Sequence, residues 1–439
     1  MNTKTLQHII LSFFCCSFFI VSALTAEELR IGAISDLHLS FQSRKSNKVV
    51  GLDNLQKAFA KMKELGVDVV IINGDIANDG NPELISKARE AYDLAFPTQP
   101  PILIAVAGNH DFRWKEFSTV EEKQDAFMKA MKMESLDQHL VIGGYSFITL
   151  NPDHIRGEYY SDAAGERLAA EIRKAKERAP NQPIFCLAHY PSAKTVPGNG
   201  RGIFNKVLAP FPEVIHIASH VHYPLEDERC IQQKLYTTVI TGTTLRCSLE
   251  RGRINGYPTQ APPNMTDVSA MLYFQINSKE VKIRRFQLKN ENEIKPESPW
   301  IIKLPLAKEN FVYTDERIKA RQEPYFPPNA SLKAEVINND VMLTVSAAKH
   351  HDFVHTYAIA ISEKKNMDYI QQTELLFFSD FYRGLEKMAD FCSVRITPKH
   401  FAFQENCDYR LDVYPVESFG LRGKEPVSTT LTFQERAIE

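Results

Sequence analysis

The chain has 439 residues, too many for one typical domain, and its 44% hydrophobic and 24% charged content is that of a soluble protein able to bury a core. A formal net charge of −2 gives no electrostatic basis for binding nucleic acid or an anionic membrane surface.

Residues 1–26 read as a secretory signal peptide. Lys4 and His8 precede an apolar run over 9–21, and small residues follow at Ser22, Ala23 and Ala26. The run is short for a membrane span, and an uncleaved anchor is the alternative. Cleavage would leave no transmembrane segment and a protein that is secreted, periplasmic or held at the cell surface. Beyond the leader, the spacing of Cys186, Cys230, Cys247, Cys392 and Cys407 matches no zinc motif. Cys186 reads as a buried small hydrophobe, whereas Cys392 and Cys407 could pair in an oxidising compartment.

Residues 29–39 read as a first strand ending in Asp36-Leu37-His38. Leu55, Phe59, Met62 and Leu65 then recur at helical spacing. A second strand, 67–72, ends at Gly74-Asp75, and a helix follows over about 82–94. A third strand, 102–107, stops at Gly108-Asn109-His110-Asp111. Strands alternating with helices of this length predict an α/β unit with parallel strands. After a helix around 120–133 comes a hairpin over 140–150 about Gly143-Gly144, then a charged helix over 162–179. Two more strands end at His189-Tyr190-Pro191 and at Ser219-His220-Val221-His222. From 235 to 288 the short alternating runs predict antiparallel strands that complete the domain. Residues 291–328, rich in Pro, Glu and Lys, read as a linker. The short runs beyond it predict a small β-sandwich over 329–439, leaving 27–290 as the first domain.

The chemistry lies at the strand ends. Each block has an ordinary reading alone: Asp-x-His is often a capped turn, Gly-Asp a common turn dipeptide, and a lone His189 a satisfied core histidine. Together, at one edge of a sheet, they form a single site of two carboxylates (Asp36, Asp75), an amide (Asn109) and four imidazoles (His38, His189, His220, His222). Mixed oxygen and nitrogen ligands without thiolate suit Zn, Mn, Fe or Co, and seven suit two ions sharing a carboxylate rather than one tetrahedral ion. Such pairs of ions clamp the attacking and leaving oxygens of a phosphoryl transfer. His216 reads as a core residue. Arg113, Arg201 and Tyr190 could contact a substrate phosphate, and Tyr325 and Phe326 read as an interdomain seal. His350, His351 and His355 lie too far along the chain to join the site.

This series of blocks, in this order, resembles the calcineurin-like metallophosphoesterase family. Residues 74–78 and the His189-Tyr190-Pro191 block are most similar to its cyclic-nucleotide and glycerophosphodiester phosphodiesterase branch. The resemblance implies a four-layer αββα sandwich, followed here by a small all-β, fibronectin-III-like sandwich. It implies that Asp36, His38 and His222 hold one divalent ion, that Asn109, His189 and His220 hold a second, and that Asp75 bridges them. It also implies in-line attack by a metal-bridging hydroxide, with His110 stabilising the transferring group or protonating the leaving oxygen. Asp111 or Asn78 would orient imidazoles or the metal-bound oxygen. Ser219 stands where the family has glycine, which fits if that position has no positive φ. The residues after Asp75 lack the tyrosine ligand of purple acid phosphatases, and the C-terminal region does not resemble the substrate domain of secreted 5′-nucleotidases.

The function expected is therefore that of a secreted metal-dependent phosphoric ester hydrolase acting on a small phosphate ester, most simply a phosphodiester. The alternatives are a broad phosphomonoesterase or nucleotidase, and a non-catalytic binding protein contacting a surface or glycan through the sandwich.

Overall fold

The computed structural model describes residues 19–21, 28–43, 46–195, 200–250, 262–385 and 388–434. The leader expected over 1–26 lies outside them, apart from a short parallel strand, Phe19–Val21, paired with His139–Ile142.

Three apolar runs form the parallel heart of a first sheet. Leu29–Ile34 lies beside Val69–Asn73, with Ile31 opposite Val69, and that strand lies beside Ile102–Val106. Runs such as Val69-Val70-Ile71-Ile72 are buried on both faces, which is why they read as continuous rather than alternating. Ala270–Ile276 and Glu280–Gln287 extend the sheet antiparallel on its other side. A second sheet runs Phe19–Val21, His139–Ile142, Tyr145–Thr149, Ile184–Leu187, Val214–Ala218, Thr237–Ile240 and Ile231–Gln233. The turn between its hairpin strands needs positive φ at Gly143 and Gly144, as their pairing in the sequence suggests.

The sheets stack face to face. Ile31, Val69, Ile71 and Ile104 of one meet Phe147, Phe185, Leu187 and Ile215 of the other in one core. Helices cover both outer faces. Leu52–Glu64, Pro82–Ala95 and Val120–Met131 bury Leu55, Phe59, Ile85 and Phe127 against the first sheet. Asp162–Arg178 and Gly202–Leu208 bury Leu168, Ile172 and Phe204 against the second. The helix starts are encoded locally: Asn81 accepts from Glu83 N ahead of Pro82, Thr119 and Glu122 form a capping box, and Ser161 accepts from Ala164 N. This is the four-layer αββα arrangement.

The stretch predicted as a linker differs. Glu293–Ile294 and Trp300–Lys303 pair with Glu280–Gln287. Trp300 is buried in the main core, with its Nε1 donating to Glu228 Oε2 at 2.7 Å. The Pro-, Glu- and Lys-rich flanks mask a four-residue strand, Trp300-Ile301-Ile302-Lys303, whose apolar side chains close one edge of the first sheet.

The C-terminal domain is a β-sandwich of a three-stranded sheet (Leu332–Ile337, Asp340–Ser346, Phe391–Ile396) and a four-stranded one (Asp368–Phe378, Thr356–Lys365, Cys407–Val416, Val427–Phe433). Cys392 and Cys407 sit on different sheets and both are free thiols, so the pairing expected of them is not made. Phe326 stacks on Tyr357 inside the sandwich and Tyr325 is exposed, so neither acts as the expected seal. The contact with the αββα part is made instead by buried ion pairs, Arg321 to Asp352 and Glu417 at 2.8 and 2.6 Å and Lys295 to Asp352. An apolar cluster adds Cys247, Leu249 and Val268 to Phe378, Phe381 and Tyr382.

Candidate metal centre

The predicted residues come together where the strands of both sheets end. Leu29–Ile34 delivers Asp36 and His38, and Val69–Asn73 delivers Asp75. The two turns are stitched side by side, Asp36 N donating to Gly74 O, His38 N to Asp75 O and Leu39 N to Ile76 O. Ile184–Leu187 delivers His189 and Val214–Ala218 delivers His220 and His222, tied by Ser219 N to His189 O at 2.9 Å. Asp36, His38, Asp75, His220 and His222 all have φ between 43° and 71°, in the left-handed region. Such backbone costs about 1–3 kcal/mol per residue and persists where the surroundings over-determine it, typically at functional sites.

Two groups result, sharing Asp75. Candidate ligand atoms of Asp36, His38, Asp75 and His222 lie within 4.8 Å of one another, as do those of Asp75, His189 and His220. In the first, His222 Nε2 is 3.2 Å from Asp36 Oδ1 and 3.0 Å from His38 Nε2, which is 3.7 Å from Asp75 Oδ2. In the second, His189 Nε2 is 3.2 Å from Asp75 Oδ2.

The hydrogen bonds point lone pairs inward. His189 Nδ1 donates to Asn73 O at 2.9 Å and His222 Nδ1 to Arg246 O at 3.0 Å, which leaves each Nε2 facing carboxylate oxygen. Asp36 Oδ1, Asn109 Oδ1, His189 Nε2 and His220 Nδ1 are buried without a hydrogen-bond partner. An acceptor buried against acceptors is costly unless a cation lies between them. The titration of these groups states the same need. Burial works against it, yet the Asp75 carboxylate holds His189 up to about 9, and His222 takes Asp36 down to about 2 against its burial. His38 and His220 are pushed down by burial, His220 to about 3. Protons can quiet only part of the set, whereas two cations sharing Asp75 would take up the donor atoms that face one another, so the donors fit a dinuclear site.

The remaining predictions divide. His110 stands at the centre: its ring meets His38 edge-on at 4.4 Å, its main-chain N–H donates to Asp75 Oδ1, and its ring Nε2 lies 3.9 Å from Asp75 Oδ2. Asn78 orients His110 through its main-chain carbonyl, 2.6 Å from Nδ1, rather than through its side chain. Asp111 orients no imidazole. It accepts from Ala77 N and Gly108 N and braces the two turns, and burial beside Asp75 raises its pKa to about 7. Arg113 reaches His110, and Arg201 lies 3.9 Å over the Tyr190 ring, which itself lies 4.0 Å from that of His220. His216 is a core residue on Phe204, as expected.

Asn73 escaped the sequence reading. Its Nδ2 spans the two sheets to Ala188 O and Ile217 O, both at 3.1 Å, while its carbonyl holds His189. The available signal was an amide closing an otherwise apolar strand. Ser219 has no positive φ, and its hydroxyl lies 2.9 Å from His189 Nδ1, so serine fits there without strain. A cleft of about 910 Å³ between the αββα part and the sandwich contains none of these residues.

Residues 29–224 match the calcineurin-like phosphoesterase family. Over 202 residues the chain is 28% identical to a cAMP/cGMP dual specificity phosphodiesterase of Mycobacterium tuberculosis, in an alignment covering 43% of this chain and 60% of that protein. The chain thus spans less than two thirds of that relative. Among solved structures, a dimetal phosphatase from Danio rerio is similar at 12% identity and a TM-score of 0.41, over 61% of this chain and 98% of that one. Purple acid phosphatase from yellow lupin is similar at 14% and 0.41, over 61% and 52%. A fibronectin-III domain of human collagen XX is similar at 14% and 0.17, over 26% and 96%. Among the described residues no helix is long and apolar enough to cross a membrane.

Proposed function

We propose that the phosphoesterase hydrolyses phosphodiesters with two metal ions, outside the cytoplasm once its leader is removed. The observation that carries the reading is the pair of ligand groups sharing Asp75, with buried, unpartnered donor atoms turned towards one another. Asp36, His38 and His222 would hold one ion, Asn109, His189 and His220 the second, and Asp75 would bridge them. The ions would supply Lewis acidity and an activated water at neutral pH. The donor set accepts Mn, Fe, Zn or Co.

The chain's own groups do the rest. His110 projects beside the bridging carboxylate, its Nδ1–H fixed on Asn78 O. Its Nε2 is thus the atom placed, when the ring is protonated, to hydrogen-bond the transferring group or give a proton to the leaving ester oxygen. The guanidinium of Arg113, with Nη1 2.9 Å from His110 Nδ1, adds positive charge beside the ring. The phosphodiester preference is supported by the phosphodiesterase among the relatives, and the extracytoplasmic location by the leader-like residues 1–26.

The test is turnover of bis(4-nitrophenyl) phosphate beside 4-nitrophenyl phosphate, by mature protein loaded with Mn, Zn or Fe, with Asp75→Ala as control. Diester cleavage that falls at least about 10³-fold in the variant is expected, since a bridging carboxylate supports both ions and several kcal/mol of transition-state stabilisation. Cleavage of the monoester alone would change the substrate class, and no metal-dependent cleavage of either would sink the reading.

A further inference from the structure

His222 is held from behind by a loop that the β-sandwich itself holds. Its Nδ1 donates to Arg246 O at 3.0 Å, and Ser248 N donates to its carbonyl at 2.9 Å. Residues 243–250 therefore set both the ring and the strained backbone, φ 54°, of this candidate ligand. Cys247 and Leu249 of the loop are fully buried, in one cluster with Phe378, Phe381 and Tyr382 of the sandwich. A polar contact adds to this at the end of the loop. Tyr223, the residue after His222, donates its hydroxyl to Glu250, which also takes Arg229 Nη2 at 2.9 Å. His355 of the sandwich places Nε2 3.1 Å from both Glu250 Oε1 and Arg229 Nη2. The His355 ring rests against Phe378 and Phe381, at 5.4 and 5.0 Å. The apolar and polar contacts thus converge on one loop.

We propose that the β-sandwich is a positioning element of the metal centre, locking residues 243–250 through Phe381 and His355 and so aiming the His222 imidazole at the ion shared with Asp36, His38 and Asp75. The proposal rests on the metal reading above and adds an asymmetry to it. The second group is braced by Asn73 and Ser219, from within the two stacked sheets. Loosening the sandwich contact should therefore weaken one ion and spare the other. Partners behind a metal-ligating histidine typically contribute about 10–100-fold in affinity. His355 and Phe381 touch no candidate ligand, so they are positioning residues only.

The experiment titrates Mn²⁺ into the metal-free full-length chain, following bound ions by calorimetry and by electron paramagnetic resonance, which distinguishes a coupled pair from a single ion. Wild type should bind two ions. His355→Ala and Phe381→Ala should each lose about 10–100-fold in affinity for one ion, together with the coupled-pair signal, and keep the other ion. Leu343→Ala, buried in the sandwich core away from the loop, is the control for mere destabilisation and should keep both ions. Tyr223→Phe removes only the bond to Glu250; it should weaken the same ion and stands in if Phe381→Ala does not fold. Folded His355→Ala and Tyr223→Phe proteins that bind both ions as wild type does would overturn the proposal, as would an equal loss in Leu343→Ala. Wild type taking up no Mn²⁺, Zn²⁺ or Co²⁺ would instead remove the metal reading on which it stands.

Discussion

Gly74 shows how little room the centre leaves. It has φ +92°, and an added Cβ would stand 2.4 Å from His189 Nδ1 and 3.0 Å from Gly108 N. Gly74→Ala should push the His189 ring off Asn73 O, cost about 1–3 kcal/mol for a side chain in a left-handed conformation, and lower turnover on the order of 10²-fold, the usual effect of a misplacement near 1 Å. Turnover of bis(4-nitrophenyl) phosphate and a thermal melt check both; wild-type turnover in the variant would show that His189 tolerates displacement. At this scale the candidate ligands were legible because each is a chemically distinctive residue just beyond an apolar run. Their left-handed backbone was not, since Asp, His and Asp-x-His turns carry no obligate signal for positive φ. Nor was the bridging role of Asn73, which depends on carbonyls from a different sheet.

Among the elements, the five site strands and their helices follow from patterns within a dozen or so residues: continuous apolar runs, helical spacing, caps at Asn81, Thr119 and Ser161. Trp300–Lys303 was missed because four residues between charged and proline-bearing flanks are too short for a periodicity to register. Trp300→Ala separates the two readings. In a solvated linker it would cost nothing. Buried in the core and bonded to Glu228 Oε2, it should cost about 3–5 kcal/mol. Chemical denaturation measures this directly, and an unchanged midpoint would return the segment to a linker.

For the molecule as a whole, stability is tied to pH by carboxyls at the contact between the αββα part and the sandwich. Glu226 is buried there, with Oε1 accepting from Gln287 Nε2 at 2.8 Å and Oε2 unpartnered. Burial raises its pKa to about 7, against the opposing pull of Gln287, Lys295 and Arg285. A carboxyl raised above its unfolded value of 4.5 contributes stability that is complete below that pH and is lost as pH climbs through about 7. Glu226→Gln, which keeps the acceptor for Gln287, should therefore match wild type near pH 5 and exceed it at pH 8 by on the order of a few kcal/mol. Melting temperatures of both proteins at the two pH values test this; a pH-independent difference would mean that Glu226 does not titrate with folding.

The sequence by itself determined the α/β order, the strands whose ends carry the site, the presence of a C-terminal sandwich and the residue types of a mixed oxygen–nitrogen metal site. Those depend on side-chain chemistry and on spacing along a few turns of chain. In the sequence the site residues read as one sheet edge, whereas the structure divides their strands between two stacked sheets. Only the tertiary structure decided that Trp300 completes a sheet and that Asn73 ties both sheets behind His189. It alone brought His355, set aside as too distant along the chain, onto Glu250 behind the His222 loop. The physical reason is the same each time: these contacts join backbone carbonyls and buried carboxylates far apart in the chain, whose partners are chosen by sheet stacking and domain packing, and neither leaves a local pattern in the residues themselves.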